Sequence, residues 1–461
     1  MTLIKSISGI RGTIGQSRGD NLTPEDLVRF TAAYGLWLKR QSRRDGGKVV
    51  IGRDARISGT MVYHIVAGTL QAMGHDVVNL GLASTPTVEI AVTAEKADGG
   101  IILTASHNPA QWNALKLLNA RGEFLNQQEG EEVLNIAENE SLSYADAYEL
   151  GSEKADHSYL DRHIEMILEL PQVDTEAIAA GGFKVVVDGI NSVGGIAVPR
   201  LLEALNVQEV IRVNCEPTGV FAHNPEPLPE HLTDMREAVK ANQADLGFVV
   251  DPDVDRLAIV NEDGSMFGEE YTLVSVADYV LQQTPGNTVS NLSSTKALRE
   301  LTEKRGGQYF PSAVGEVNVV EKMKEKAAVI GGEGNGGVIL PGLHYGRDAL
   351  VGIALFLSHL ARFGKPCSQL RREYPFYHIS KNKIQLTPEI DVDKVLEQLK
   401  TTFSDYPVND IDGVKILFEE GWVHLRKSNT EPIIRVYSEA GDEGQARALA
   451  QRIIEKVEEI T

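Results

Sequence analysis

Three times along this 461-residue chain a short apolar run breaks off into a polar loop. The runs read IILTASHNP at 101–109, GFVVDPDVDR at 247–256 and AAVIGGEGNGG at 327–337. Between them, short β-branched runs alternate with amphipathic helical stretches: KVVIG at 48–52, DVVNLG at 76–81, FKVVVDG at 183–189 followed by VPRLLEAL, and NTVSNLSS at 287–294. That alternation predicts βαβ units and largely parallel sheets. Ligands bind outside the carboxyl ends of strands in such sheets, so the three loops are expected to face one cleft. No sequence repeat underlies the pattern.

Beyond about residue 371 the texture changes. IDGVKILFEEGWVHLRKSNTEPIIRVYSEA reads as antiparallel strands and EGQARALAQRIIEKVEEI as one closing helix. The chain is too long for one core. The expected division is an α/β domain over 1–150, a second over 151–257, a third over 258–368 and a smaller α+β domain over 369–461. The GKPCSQL segment at 364–370 is the expected hinge for the last of these.

Lys and Arg number 45 against 65 Asp and Glu, a formal charge of −20. Such a field repels polyanions, and with no Lys/Arg-rich run to override it nucleic acid is not an expected partner. Cys215 and Cys367 are the only cysteines, too few for a disulfide framework or a cysteine-based zinc site, which fits a reducing cytoplasm. The opening MTLIKSISGIRGTIG lacks the apolar core of a signal peptide, and the apolar stretch near Leu350 to Leu357 is short of a membrane span. A cytoplasmic chain with no membrane partner is expected.

Each loop has a chemical and a structural reading. In Thr104-Ala105-Ser106-His107-Asn108-Pro109 a serine follows a strand, where His107, Lys116 or a metal can activate its hydroxyl; the alternative is a turn closed by Pro109. Asp251, Asp253 and Asp255 alternate, and period two along an extended segment sends all three to one side. Their repulsion calls for a hard cation, and oxygen-only ligation favours magnesium; the alternative is a solvated acidic turn with no metal. An EF-hand, suggested by Glu262 at loop position twelve, fails because Arg256 takes the glycine position and the flanks read as strands. Gly332, Gly334 and Gly337 form a G-x-G-x-x-G, but VILPGLHYG follows where a dinucleotide site needs a helix. Glu333 and Asn335 there suit the vicinal hydroxyls of a sugar, the alternative being a plain tight turn. In RKSNTEPIIRV, Arg426, Ser428, Asn429, Thr430 and Arg435 suit a phosphate dianion, the alternative being an ordinary hairpin. Arg11, Arg53, Arg56, Lys116 and Arg256 add positive charge for an anionic substrate.

Taken in order, SGIRGT, GRDAR, TASHNP, DPDVDR, GGEGNGG and RKSNTEP closely resemble the α-D-phosphohexomutase family, over essentially the whole chain. The resemblance implies a four-domain, heart-shaped architecture of three similar α/β domains with mixed, mostly parallel sheets plus a smaller C-terminal α+β domain. It implies that Ser106 carries a phosphoryl group and that Asp251, Asp253 and Asp255 hold Mg2+ with the phosphoserine oxygen. By the same resemblance Glu333 and Asn335 recognise the sugar, and Arg426, Ser428, Asn429, Thr430 and Arg435 hold the non-reacting phosphate. His107, Lys116, Arg11 and Arg256 then lie near the phosphoserine. The implied reaction interconverts hexose or hexosamine 6-phosphate and 1-phosphate through a hexose 1,6-bisphosphate, in a monomer or dimer. Glucosamine phosphate is the expected sugar, with glucose and mannose phosphates as the alternative; a phosphatase and a non-catalytic phosphosugar sensor are remoter readings. Many relatives carry serine and histidine where this chain has Asn335 and Gly337, so another group must supply acid/base help.

Overall fold

The computed structural model describes residues 2–6, 9–15, 17, 19–43, 45–386, 391–428 and 433–460. Its first three sheets share one plan. In the first, Lys48–Arg53, Asp76–Leu82 and Gly99–Leu103 run parallel and Trp112–Leu118 returns antiparallel beside Gly99–Leu103. The second repeats this with Lys184–Asp188, Glu209–Val213, Leu246–Val250 and the antiparallel Leu257–Asn261. The third does so with Asn287–Asn291, Tyr309–Ser312, Ala328–Glu333 and the antiparallel Gly337–Ile339. In all three the spatial order, by chain order within the unit, is fourth, third, first, second. The serine, aspartate and glycine-rich loops are therefore the same structural element. Each is the turn from the carboxyl end of a central parallel strand into an antiparallel neighbour.

Additional strands shift two of the expected divisions. Glu153–Ala155 pairs with Asp76–Leu82 and so belongs to the first sheet, while Leu257–Asn261 belongs to the second. The divisions at 150 and 257 fall short because local polarity does not report which sheet a strand will pair with.

The fourth domain is a five-stranded antiparallel sheet in the order His378–Gln385, Ile433–Ala440, Gly421–Lys427, Val414–Leu417, Val408–Asn409. Helices Val392–Thr402 and Glu443–Ile460 cover one face, burying Val395, Leu399, Leu449 and Ile453 against Leu425, Ile434 and Val436. The edge strand HISKNKIQ has no fully buried residue, its Lys381, Lys383 and Gln385 exposed and only Ile384 packed on the core, which is why its sequence does not announce it.

Helix Ala349–Phe363 is the apolar stretch noted above. It starts where Asp348 accepts from the amides of Leu350 and Val351, and it ends at Gly364, whose φ of +67° favours glycine. Every residue from Ala349 to Leu360 is buried. Phe356 stands edge-on to Phe248 at 6.2 Å and to Phe267 at 5.1 Å, joining the second and third domains in one core. Among the described residues no helix is long and apolar enough to cross a membrane. The 364–370 segment is not a free hinge. Cys367 and Leu370 are buried, and Ser368 N donates to Glu262 Oε2 at 2.9 Å. Just beyond it, Arg371 Nε donates to Phe267 O at 2.9 Å. The stretch beyond is held as well: Tyr374 is buried and Tyr377 N donates to Tyr271 Oη at 3.0 Å.

Phe356→Ala is expected to lower unfolding free energy by about 3–5 kcal/mol, because it empties a volume that both domains enclose. Denaturant unfolding measures it, and a loss under about 1 kcal/mol would contradict a shared core.

Candidate active site

Ser106 sits at the tip of the first loop with a φ of +48°, a left-handed conformation uncommon for a non-glycine residue. The surroundings hold it there. Its amide donates to Thr104 Oγ1 at 2.9 Å, and Thr104 Oγ1 donates to Asp54 Oδ2 at 2.7 Å. Arg56, 1% exposed, spends its whole guanidinium on this loop. Its Nε reaches Asp54 Oδ2 at 2.9 Å, while its terminal nitrogens donate to the carbonyls of Ser106, Asn108, Pro109 and Trp112 at 2.5–3.0 Å. Arg56 is thus a scaffold for the serine, with no donor left for a substrate anion. The Ser106 hydroxyl donates to Asp251 Oδ2 at 2.8 Å and lies 3.3 Å from His107 Nδ1.

The aspartate loop is a tight turn, not the extended segment that its alternation suggests. Val254 has a φ of +62°, strained for a β-branched residue, and its amide donates to Asp251 O at 3.1 Å. The amides of Asp255 and Arg256 both donate to Asp251 Oδ1 at 3.1 Å. Turn and caps together bring the three carboxylates, all fully buried, to within 4.8 Å of one another.

Protein cations offset part of this charge. Lys116 Nζ donates to Asp253 Oδ2 at 2.7 Å and lies 3.7 Å from Asp255 Oδ2. Thr85 Oγ1 donates to the same Asp253 oxygen at 2.6 Å, and Arg347 donates to Asp255 Oδ2 at 2.6 Å. Burial, then Asp255 and Asp253, push the Asp251 carboxyl well above the usual carboxylate range. Burial also works to raise Asp253, but Lys116, with the hydrogen bonds from Thr85 and Asp251, outweighs it and holds that carboxyl below its ordinary value. Asp253 Oδ1 and Asp255 Oδ1 are buried without a hydrogen-bond partner. Oxygen-only donors with two orphaned acceptors fit a hard divalent cation.

The rim is positive. Burial, then Arg256, Arg11 and Arg347, hold His107 well below its usual pKa, so its imidazole is neutral at neutral pH. Burial and Arg256 likewise depress Arg11. Arg256 Nε is buried without a hydrogen-bond partner, and its NH1 touches Glu226 at 3.5 Å. Across from them lies Glu333, which accepts from Asn291 Nδ2 at 2.8 Å, from Gly315 N at 3.2 Å and from Arg347 NH1 at 2.7 Å. Burial opposes ionisation of Glu333, but Arg347, Asn291, Arg256 and the Gly315 amide together outweigh it and hold the carboxyl below its ordinary value. Asn335 folds back on its own loop, Oδ1 accepting from Gly337 N at 3.2 Å. Gly336, at φ +85°, lets the loop pass the backbone of Leu257, where a Cβ would stand 2.2 Å from the carbonyl oxygen.

The fourth domain turns the uncovered face of its sheet to the third. Ser293 Oγ meets His424 Nδ1 at 2.9 Å and Lys415 Nζ donates to Leu292 O at 2.7 Å. On this sheet Lys383 pairs with Arg435 and Arg435 with Arg426, setting three cations in a row across adjacent strands. Like charges directly opposite are unfavourable unless an anion joins them. Burial, and Arg435 opposite, depress the Arg426 guanidinium. Ser428 is buried beside the row, its amide donating to Ile433 O at 3.0 Å. Asn429 and Thr430 lie outside the described residues.

Models of the four phosphoglucomutase/phosphomannomutase domains match in order: alpha/beta/alpha domain I over 3–143, domain II over 161–264, domain III over 268–377 and the C-terminal domain over 383–456. The chain belongs to the phosphoglucomutase/phosphomannomutase family. It is 36% identical to a Thermococcus kodakarensis phosphoglucomutase/phosphomannomutase, covering 98% of this chain and 97% of that one. It is 31% identical to a Sulfurisphaera tokodaii phosphoglucosamine/phosphogalactosamine mutase, covering 98% of each. A solved family protein from Burkholderia thailandensis superposes with a TM-score of 0.83 at 27% identity, covering 98% of this chain and 95% of that one.

Two residues of this family member escape sequence reasoning. Arg56 counts there only as spare positive charge, and Arg347 carries no local signal at all beyond the helix-capping Asp348 that follows it. Arg347 also donates to Glu316 through Nε at 3.1 Å, so one guanidinium ties Asp255, Glu316 and Glu333 together. Arg347→Met should therefore cost about 3–5 kcal/mol, since it leaves buried carboxylates unpaired. Denaturant unfolding of the purified variant checks this, and a near-neutral result would mean the carboxylates find other partners.

Proposed function

We propose that the chain interconverts hexosamine or hexose 6-phosphate and 1-phosphate through a phosphorylated Ser106 and a 1,6-bisphosphate, with glucosamine phosphate the preferred sugar. One observation carries the reading: the Ser106 hydroxyl rests 2.8 Å from Asp251, inside a trio of carboxylates with two orphaned oxygens. Asp251, Asp253 and Asp255 would hold Mg2+ together with a phosphoserine oxygen. Bound there, the ion supplies charge neutralisation for the transferring phosphoryl group.

The chain's own groups do the rest. Arg426, Arg435 and Ser428 hold the phosphate that does not react, with Lys383 beside them and Asn429 and Thr430 on the same loop. Glu333 and Asn335 meet the sugar hydroxyls. The free hydroxyl attacks the phosphorus, the bond from phosphorus to Ser106 Oγ breaks, and a sugar bisphosphate forms as the hydroxyl proton leaves. Neutral His107, beside Ser106, is the group placed to take that proton and pass it to the departing Ser106 Oγ. Arg11, Arg256 and Lys116 stabilise charge on the transferring group. After the bisphosphate turns end for end, the other phosphate returns to Ser106. A cation row that accepts either phosphate is what the reversal requires, and a phosphatase has no use for it.

The sugar assignment leans on the Sulfurisphaera relative's name, while the Thermococcus relative's name supports glucose and mannose phosphates as the second reading. Rates on glucosamine, glucose and mannose phosphates with the matching bisphosphate separate them; the largest kcat/KM names the sugar, and turnover of none would overturn the mutase reading. Intact mass should show one phosphate that Ser106→Ala removes together with turnover. Arg435→Gln should raise KM about 10–100-fold, the worth of one charge-assisted contact. Unchanged KM would place the second phosphate elsewhere.

A further inference from the structure

Helix Thr85–Ala94 touches the aspartate loop through Thr85, and further along it borders a second polar cluster that the phosphoryl chemistry does not use. The cluster gathers His163 from helix Tyr159–Leu168, and His344 and Asp348 from the third domain. Asp348 divides its oxygens. Oδ1 caps its helix, while Oδ2 meets His163 Nε2 at 2.8 Å and His344 Nε2 at 3.3 Å. Each imidazole has an oxygen near its other nitrogen, hydrogen-bonded for His163 and only in charge contact for His344. Thr87 Oγ1 lies 3.0 Å from His163 Nδ1, and Glu89 Oε2 lies 3.2 Å from His344 Nδ1. The two rings stand at 88° to each other.

Glu89 supplies the independent observation. It is 1% exposed, neither of its oxygens has a hydrogen-bond partner of good geometry, and it is aimed at the His344 ring. A buried carboxylate behind a histidine is the arrangement by which proteins orient metal-ligating imidazoles.

We propose that His163 Nε2, His344 Nε2 and Asp348 Oδ2 form a second cation site, for a zinc-class divalent transition metal, apart from the aspartate trio. One ligand atom from each lies within 4.8 Å of the others. Two imidazoles and one carboxylate are a donor set for zinc or cobalt, whereas magnesium prefers the all-oxygen set next door. His163 and Asp348 are fully buried, and His344, 12% exposed, provides the way in. The rival occupant is a proton on His344 shared between Glu89 and Asp348; metal entry would release that proton to solvent. With first-domain Thr87 and Glu89 as backing and ligands from the second and third domains, the ion would fasten three domains beside Asp253.

The test uses the full chain, stripped with chelator and then saturated with Mg2+ to fill the aspartates. Calorimetric titration with Zn2+ should give one equivalent per chain, with a rise in the thermal unfolding midpoint. Titration with Co2+ should give the visible absorption of a nitrogen-ligated, low-coordinate site. Glu89→Gln should weaken zinc binding about 10–100-fold, and His163→Asn with His344→Gln should abolish it. If the wild-type chain takes up neither metal once Mg2+ is present, the cluster is a hydrogen-bonded junction and the proposal is overturned, whatever the variants do. Uptake that survives loss of both histidines overturns it equally.

Discussion

Three carboxylates buried within reach of one another cannot persist unless something positive is brought to them. Here the compensation comes from outside their own domain: Lys116 from the first and Arg347 from the third. Neither contact exists until the domains meet, so the charge of the aspartate loop and the arrangement of the domains are one problem. Arg347 extends the coupling, because the guanidinium that bonds Asp255 also bonds Glu333 on the glycine-rich loop. A change of partner at either carboxylate is felt at the other.

The repeated sheet plan explains why these loops are available for chemistry at all. A central parallel strand ends at its carboxyl edge and the chain turns at once into an antiparallel neighbour, leaving a short loop fixed at both ends. Such anchoring tolerates strain. Ser106 and Val254 both keep left-handed backbones, the first because Arg56 and Thr104 hold its loop, the second because Asp251 caps the turn from both sides. The fourth domain is built differently, as an all-antiparallel sheet, and sets Lys383, Arg435 and Arg426 side by side across adjacent strands.

Much of this was legible in the residues. The order of polar loops after apolar runs, the change of texture near residue 371 and the failure of the EF-hand and dinucleotide readings all hold in the structure, whereas the aspartate segment, read as extended, is a turn. The flanks of DPDVDR are strands, and a strand follows GGEGNGG. The contacts that fasten 364–370 were not legible, because a polar segment reads as a linker whether or not Glu262 and Phe267 are waiting to bond it.

By itself the sequence determined the alternating α/β pattern, the loops that carry chemistry and the family to which the chain belongs, since these depend on residue type, spacing and order. Only the tertiary structure decided what the charges do. It turned Arg56 from a free cation into a fully engaged scaffold, made Arg347 a bridge between two loops, kept His107 neutral and drew His163, His344, Asp348 and Glu89 together from three domains. The reason is physical: the state of a buried charge is set by burial and by partners far away in the chain, and neither is written in its neighbours.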